Sequence, residues 1–232
     1  MALQKKDFIE IEFTGKIPDG EVFDSNIKKD IENAELKTQA KPFIFSLGQG
    51  MFLKGVDDFL IGKEVGKTYE IKLKAKDAFG LRDPNLVKVM PMTLFKQHKL
   101  NPFPGAVFNF DGRLAKVLSV SGGRVRVDFN NLLAGKDVEY KVKVLRKIDN
   151  IDEKAKAFIQ FLFRKDFKFQ IKDKKITIGV EKPLVKFVEM FKDKFKEVLD
   201  LDLQVKGSAV KETTKLPENN AKPKDSGAEP KE

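Results

Sequence analysis

The chain is organised around Pro42-Phe43-Ile44-Phe45-Ser46-Leu47-Gly48-Gln49-Gly50-Met51-Phe52-Leu53-Lys54-Gly55-Val56. It opens as a strand, breaks at two glycines, and leads into a short segment that the chain closes at Ala78-Phe79-Gly80. Phe43, Phe45, Phe52, Leu53, Val56 and Phe79 are more apolar surface than a hydrophilic loop carries, and almost nothing reactive stands among them. Two readings are open for these residues, a plain core or a pocket for an apolar ligand.

Residues 7–15 alternate apolar and polar as a half-buried strand does. Pro18-Asp19-Gly20 is a turn, because Pro presets its own φ and Gly tolerates positive φ. Glu21 to Ser25 resumes extended structure, and the Lys-rich residues 26–41 read as a surface loop with a helical turn at most. Val56 to Ile61, bounded by Gly55 and Gly62, predicts a helix of one to two turns. Thr68 to Ala75 is a second alternating strand, so this half of the chain is sheet plus one short helix.

The texture changes after Asp83-Pro84. Strands are expected at 106–110, 113–120 and 124–129, with a hairpin at Asp111-Gly112 and a turn at Ser121-Gly122-Gly123. Residues 85–130 thus read as a β-rich module of their own, after which 139–145 returns to complete the first sheet. Residues 151–206 are expected to form a small α+β domain. Asp152 would be a helix N-cap, strands would cover 167–171, 175–180 and 201–205, and an apolar stripe would run from Leu184 to Leu199 behind Pro183. About 55 residues is marginal for an independent core, so the excess apolar face should dock on the first domain, widen a binding surface, or meet a second copy; a homodimer is the preferred reading. Residues 207–232 hold almost nothing apolar, and their acids and lysines balance, which predicts a disordered tail.

Cysteine is absent, which excludes disulfides, thiolate metal sites and a thiol nucleophile. His98 is the only histidine, which removes His clusters for a metal. No window approaches the roughly 18 apolar residues of a membrane span and no signal core opens the chain, so a cytoplasmic protein without membrane contact is expected. The net charge of +10 admits an acidic partner. The charges are mixed along the chain, however, so a solvated surface is preferred and nucleic acid is not expected. The 21 Phe against 2 Tyr and no Trp are the unusual feature.

Lined up in order, Val22-Phe23-Asp24-Ser25, Pro42 to Gly48, Phe52-Leu53-Lys54-Gly55-Val56, Val65-Gly66 and Ala78-Phe79-Gly80 resemble the landmarks of the FKBP prolyl isomerases. The interruption after residue 84, closed by Asn130-Asn131-Leu132-Leu133-Ala134-Gly135-Lys136, is similar to the SlyD-like branch, where an insert-in-flap chaperone module is spliced into the flap loop. The resemblance covers residues 1–150, and the last domain resembles that of long archaeal-type members more loosely.

The resemblance implies an α+β fold: an FKBP-like antiparallel half-barrel sheet around a short helix, built from 1–84 plus 131–150, with an inserted all-β module and the small C-terminal α+β domain. It implies Asp24, Leu53 and Phe79 as catalytic residues, with the Leu53 N–H on a substrate carbonyl and Asp24 orienting the site. Phe13, Phe23, Phe43, Phe45, Phe52, Val56 and Tyr140 fall on substrate-binding positions. Phe79 stands where the family usually has Tyr, so that hydroxyl is missing. Val56 replaces a Trp, and Asn131 replaces the His of the return motif. No cofactor and no metal are implied.

Such chemistry needs no nucleophile. The barrier to X–Pro rotation, roughly 18–20 kcal/mol, comes from amide resonance, and a dry apolar wall favours the twisted, less charge-separated state. Met90, Met92, Leu94, Phe95, Leu100, Phe103, Phe108, Phe110, Phe129, Leu132 and Leu133 are many apolar groups for one small module. They imply a core plus an adaptable surface for unfolded or proline-containing polypeptides. The alternative is a non-catalytic peptide-binding chaperone whose isomerase pocket is vestigial.

Overall fold

The computed structural model describes residues 2–208. Of the tail expected from 207 onward, Gly207 and Ser208 instead end a strand, and the rest lies outside the described residues.

Strand β1 (Phe8–Lys16) is the centre of the first sheet. Its C-terminal half pairs antiparallel with β2 (Val22–Ser25) and its N-terminal half with β3 (Phe43–Ser46). A six-residue helix, α1 (Lys28–Asn33), lies between them in sequence. On the other edge β1 pairs along its whole length with β9 (Val138–Ile148), which in turn pairs with β4 (Thr68–Leu73). Helix α2 (Lys54–Leu60) starts after Leu53, which is extended, and stops before Gly62, whose φ of +82° ends it. It buries Val56 and Leu60 completely against the sheet, each burial stabilising by about 1.5–3 kcal/mol. Gly55 permits this approach, because a Cβ there would lie 2.5 Å from Leu73 Cδ2.

The inserted module contains β5 (Val87–Pro91), α3 (Met92–Gln97), β6 (Val107–Phe110), β7 (Arg113–Ser121) and β8 (Arg124–Asp128). Its antiparallel sheet has the order β5-β8-β7-β6. The module is β-rich but not all-β, since α3 turns Phe95 into the core against Phe108 and Phe110. Met90, Met92, Leu100, Phe108, Phe110 and Phe129 pack around that core, which is separate from the main one. Phe103 and Leu132 stay exposed, as do Val89, Val107 and Leu114.

Two chain segments join the module to the first domain. Asp83 N–H donates to Asn130 Oδ1 at 2.8 Å and Asn130 Nδ2 donates to the Asp83 carbonyl at 3.0 Å. The Arg82 guanidinium pairs with Asp128, and Gly135 N–H reaches the Gly80 carbonyl at 2.8 Å.

The C-terminal domain is α4 (Ile151–Phe163), β10 (Lys168–Lys172), β11 (Lys175–Glu181), α5 (Val185–Glu189), α6 (Lys192–Leu199) and β12 (Asp202–Ser208). Its sheet has the order β10-β11-β12, the last pair parallel. The N-cap of α4 is Asn150, not Asp152. Its Oδ1 accepts from the N–H groups of Asp152 and Glu153 at 2.8 and 3.0 Å, which places Asp152 inside the first turn. The stripe from Leu184 to Leu199 is likewise not one helix, because the chain breaks at Met190-Phe191 between α5 and α6.

This domain docks on the first one. Within it Phe158 of α4 meets Phe195 of α6 at 5.1 Å, and both belong to a core continuous with Phe8, Ile9 and Phe45 of the first domain. Arg146 of β9 reaches both Glu10 of β1 (2.6 Å) and Glu153 of α4 (2.7 Å), which ties α4 to the sheet. Internal docking therefore takes up much of the apolar excess from which a second copy was inferred, while Phe187 and Met190 remain exposed.

Candidate functional site

The seven aromatic candidates form one connected group of rings. Phe13 touches Phe43 (5.6 Å between centroids), Phe52 (5.1 Å) and Tyr140 (6.1 Å). Phe23 touches Phe79 (5.6 Å) and Tyr140 (5.8 Å), and Phe52 touches Tyr140 (5.6 Å). Phe45 lies under Phe43 and Phe52. Most pairs are edge-to-face or tilted, the favourable arrangement for ring quadrupoles.

The candidates divide by depth. Phe45 and Val56 are fully buried and form the base, and Phe13 and Tyr140 are nearly so. Phe23, Asp24, Phe43, Phe52, Leu53 and Phe79 are half-buried and form the accessible face. That face is shallow because the rings fill one another's space. Two open clefts of the surface, one beside Glu21, Asp30 and Glu35 and another beside Lys54, Phe59 and Asp77, include none of the ten candidates.

Sheet register explains the assembly. Gly15 is paired with Asp24 of β2 on one side and with Tyr140 of β9 on the other. A Cβ at Gly15 would lie 2.8 Å from Tyr140 Cε1 and 3.0 Å from Phe23 Cζ, so the missing side chain lets both rings lean over β1.

Burial pushes the Asp24 carboxyl above the usual carboxylate range, and a hydrogen bond from the Ser25 backbone offsets part of this. Burial, then the nearby Asp24 charge, push the Tyr140 hydroxyl well above the usual phenol range. The Leu53 N–H, just before α2, donates to nothing among the described residues. The face therefore offers one carboxylate, one backbone donor and hydrocarbon walls.

Three residues to which the sequence assigns no role in the site support it. On the edge that β2 and β3 share, β1 has no strand partner at Glu12 and Phe13, and Asn26 occupies the gap. Its Oδ1 accepts from Phe13 N–H (2.7 Å), its Nδ2 donates to the Ile11 carbonyl (2.8 Å), and its own N–H reaches the Phe13 carbonyl (3.3 Å). Ser25 Oγ donates to the same Phe13 carbonyl (2.9 Å). Asp57 of α2, 3% exposed, accepts from Gly48 N–H at 2.6 Å and pins the glycine turn before Phe52. Burial raises its carboxyl above the usual range, against hydrogen bonds from Gly48 and Gly50. The only signal in the sequence was Ser-Asn directly after the Phe-Asp pair.

Comparison with known proteins gives two family matches. Residues 1–96 match the FKBP-type peptidyl-prolyl cis-trans isomerases, and residues 88–133 match the family described as FKBP26, IF domain. The chain is 28% identical over 145 residues to the short-type peptidyl-prolyl cis-trans isomerase of Methanocaldococcus jannaschii, covering 61% of this chain and 92% of that one. It is 28% identical over 149 residues to the FKBP-type 16 kDa peptidyl-prolyl cis-trans isomerase of Escherichia coli, covering 62% and 93%. It is 28% identical over 138 residues to the FKBP-type peptidyl-prolyl cis-trans isomerase SlyD of Aeromonas hydrophila, covering 59% and 60%.

Proposed function

The chain belongs to the FKBP-type peptidyl-prolyl cis-trans isomerases, on their SlyD-like branch, and on that premise we propose how its parts divide the task. As a member it is an isomerase acting on proline-containing polypeptides. The observation that carries our reading of the site is the connected ring face with Asp24 at its edge.

In this reading the X–Pro imide lies on Phe23, Phe52 and Phe79, over the base of Phe13, Phe45, Val56 and Tyr140. The hydrocarbon wall disfavours the planar, charge-separated amide relative to the twisted one. The free Leu53 N–H takes a substrate carbonyl, and Asp24 orients the polar edge of the face.

Residues 85–130 act in the same proposal as a chaperone module. Val89, Phe103, Val107 and Leu114 stay exposed around its closed core, and an adaptable apolar surface suits unfolded segments. Capture there raises the concentration of a client near the ring face. Deleting 85–130 is expected to leave isomerisation of short peptides intact and to slow proline-limited protein refolding. Equal loss on both substrates would overturn the division. Asp24→Ala tests the ring face: no change in peptide isomerisation would leave the non-catalytic chaperone as the better account.

Two further expectations belong to the proposal. A homodimer would use the exposed Phe187 and Met190, and sedimentation of the Phe187→Ser, Met190→Ser variant against the parent chain tests it. A cytoplasmic location is tested by cell fractionation.

A further inference from the structure

The chain has 2 tyrosines. The hydroxyl of Tyr69 is occupied: it accepts from Glu64 N–H at 2.9 Å and donates to the Glu64 carbonyl at 3.1 Å. Tyr140 differs. It is 2% exposed, lies in the ring group, and its hydroxyl makes no hydrogen bond among the described residues. It is not sealed in either, since Ser46 Oγ is the buried side-chain oxygen without a partner among the described residues. Its hydroxyl is thus reachable from outside and has no partner in the fold, so its hydrogen-bonding capacity is open to whatever lies on the rings.

The setting also fixes what this hydroxyl can do. Six of the seven rings are Phe, so Tyr140 supplies the single phenol of the ring group. Gly15 lets its ring lean across β1 toward Phe23, in the row that ends at Asp24.

We propose that the Tyr140 hydroxyl is a substrate-binding donor that bonds a backbone carbonyl of the bound prolyl segment, as the side-chain counterpart of the Leu53 N–H. Two donors from opposite sides, β9 and the start of α2, hold the segment while the imide turns against the rings. A phenol is protonated at neutral pH, which is the state a donor needs, and burial, then the nearby Asp24 charge, push its titration further up.

This rests on the ring face being the site, and the test separates the two. Peptide isomerisation is measured on folded Tyr140→Phe, Tyr140→Leu and Phe23→Ala, with circular dichroism confirming the fold at the assay temperature. The expected result is a fall of about 3- to 10-fold in kcat/KM for Tyr140→Phe, the usual worth of one hydrogen bond. A substrate with thioamides in place of the carbonyls flanking and within the X–Pro unit, which are weaker acceptors, should show a smaller ratio between parent and variant. A purely structural role of the hydroxyl would leave that ratio unchanged between the two substrates. An unaltered kcat/KM in Tyr140→Phe, with Tyr140→Leu and Phe23→Ala slowed, overturns the donor role alone. No effect in Phe23→Ala overturns the site itself.

Discussion

The Arg82 guanidinium donates to the Asp128 carboxylate across the two chain segments that join the inserted module to the first domain. Asp128 also accepts from Asn130 N–H (2.9 Å) and Asn130 Nδ2 (2.6 Å), so one carboxylate holds three donors of the neck. Asp128→Ala leaves these donors without their acceptor and is expected to cost about 1–3 kcal/mol in denaturant unfolding. An unchanged midpoint would show that the neck is held by other contacts.

The same carboxylate predicts a response to acid. Burial pushes the Asp128 carboxyl up, but the Asn130 bonds and the Arg82 charge outweigh it and hold it below the usual range. A depressed folded value means that its stabilisation is complete above the unfolded carboxylate pKa, near 4, and is lost as pH falls through the folded value. Stability of the parent chain should fall in that window more steeply than stability of Asp128→Asn. Parallel pH curves would remove Asp128 from the account.

Asp24 works in the opposite direction. Its carboxyl is raised by burial, so the ionised form is disfavoured by folding, and the cost appears as pH rises through the folded value. Asp24→Asn should therefore be more stable than the parent at neutral pH, with the gain fading below the usual carboxylate range. Its peptide isomerisation should nonetheless be slower. A variant less stable at pH 7 than the parent would show that Asp24 is a structural anchor.

Gly15→Ala places a methyl group 2.8 Å from the Tyr140 ring and 3.0 Å from Phe23. Overpacking of this kind costs about 1–3 kcal/mol. The two rings must part, so kcat/KM on peptides should fall more than in a variant equally destabilised elsewhere, such as Val125→Ala in the module core. Equal losses would mean that the ring geometry tolerates the shift.

Asn26→Ala removes the side-chain bonds to Phe13 N–H and the Ile11 carbonyl. The expected cost is about 1–3 kcal/mol, with faster amide hydrogen exchange at Phe13. Protection at Phe13 equal to the parent's would show that water replaces the side chain without loss.

Most of the first sheet was readable because alternation along 7–15 and 68–75 follows from burying one face of a strand. The Phe-rich stretch was readable as a site only through the order of its motifs, since alternation cannot tell the fully buried Phe45 from the accessible Phe43. Asn26 was hidden for a different reason: a side chain that replaces a missing strand leaves no periodic trace. The break between α5 and α6 and the docking of the C-terminal domain on the first sheet also escaped, because a stripe of apolar residues shows that a face is buried without showing what covers it.

The pairing of β1 with β9, which joins Phe8 to Ile148 and Lys16 to Glu139, sets an order of events for a chain emerging from the ribosome. The module core of Phe95, Val117, Val125 and Val127 is complete once residue 129 is out, whereas β1 still lacks its longest partner. At about 5–20 residues per second, the interval from Asp128 to Ile148 is on the order of seconds. We predict that chains halted with residue 135 just exposed resist protease between 85 and 130 and are cut within 8–16; protection of β1 in those chains would contradict the order. A nascent molecule would thus carry a finished inserted module while β1, already flanked by β2 and β3, is still open along the edge that β9 later covers.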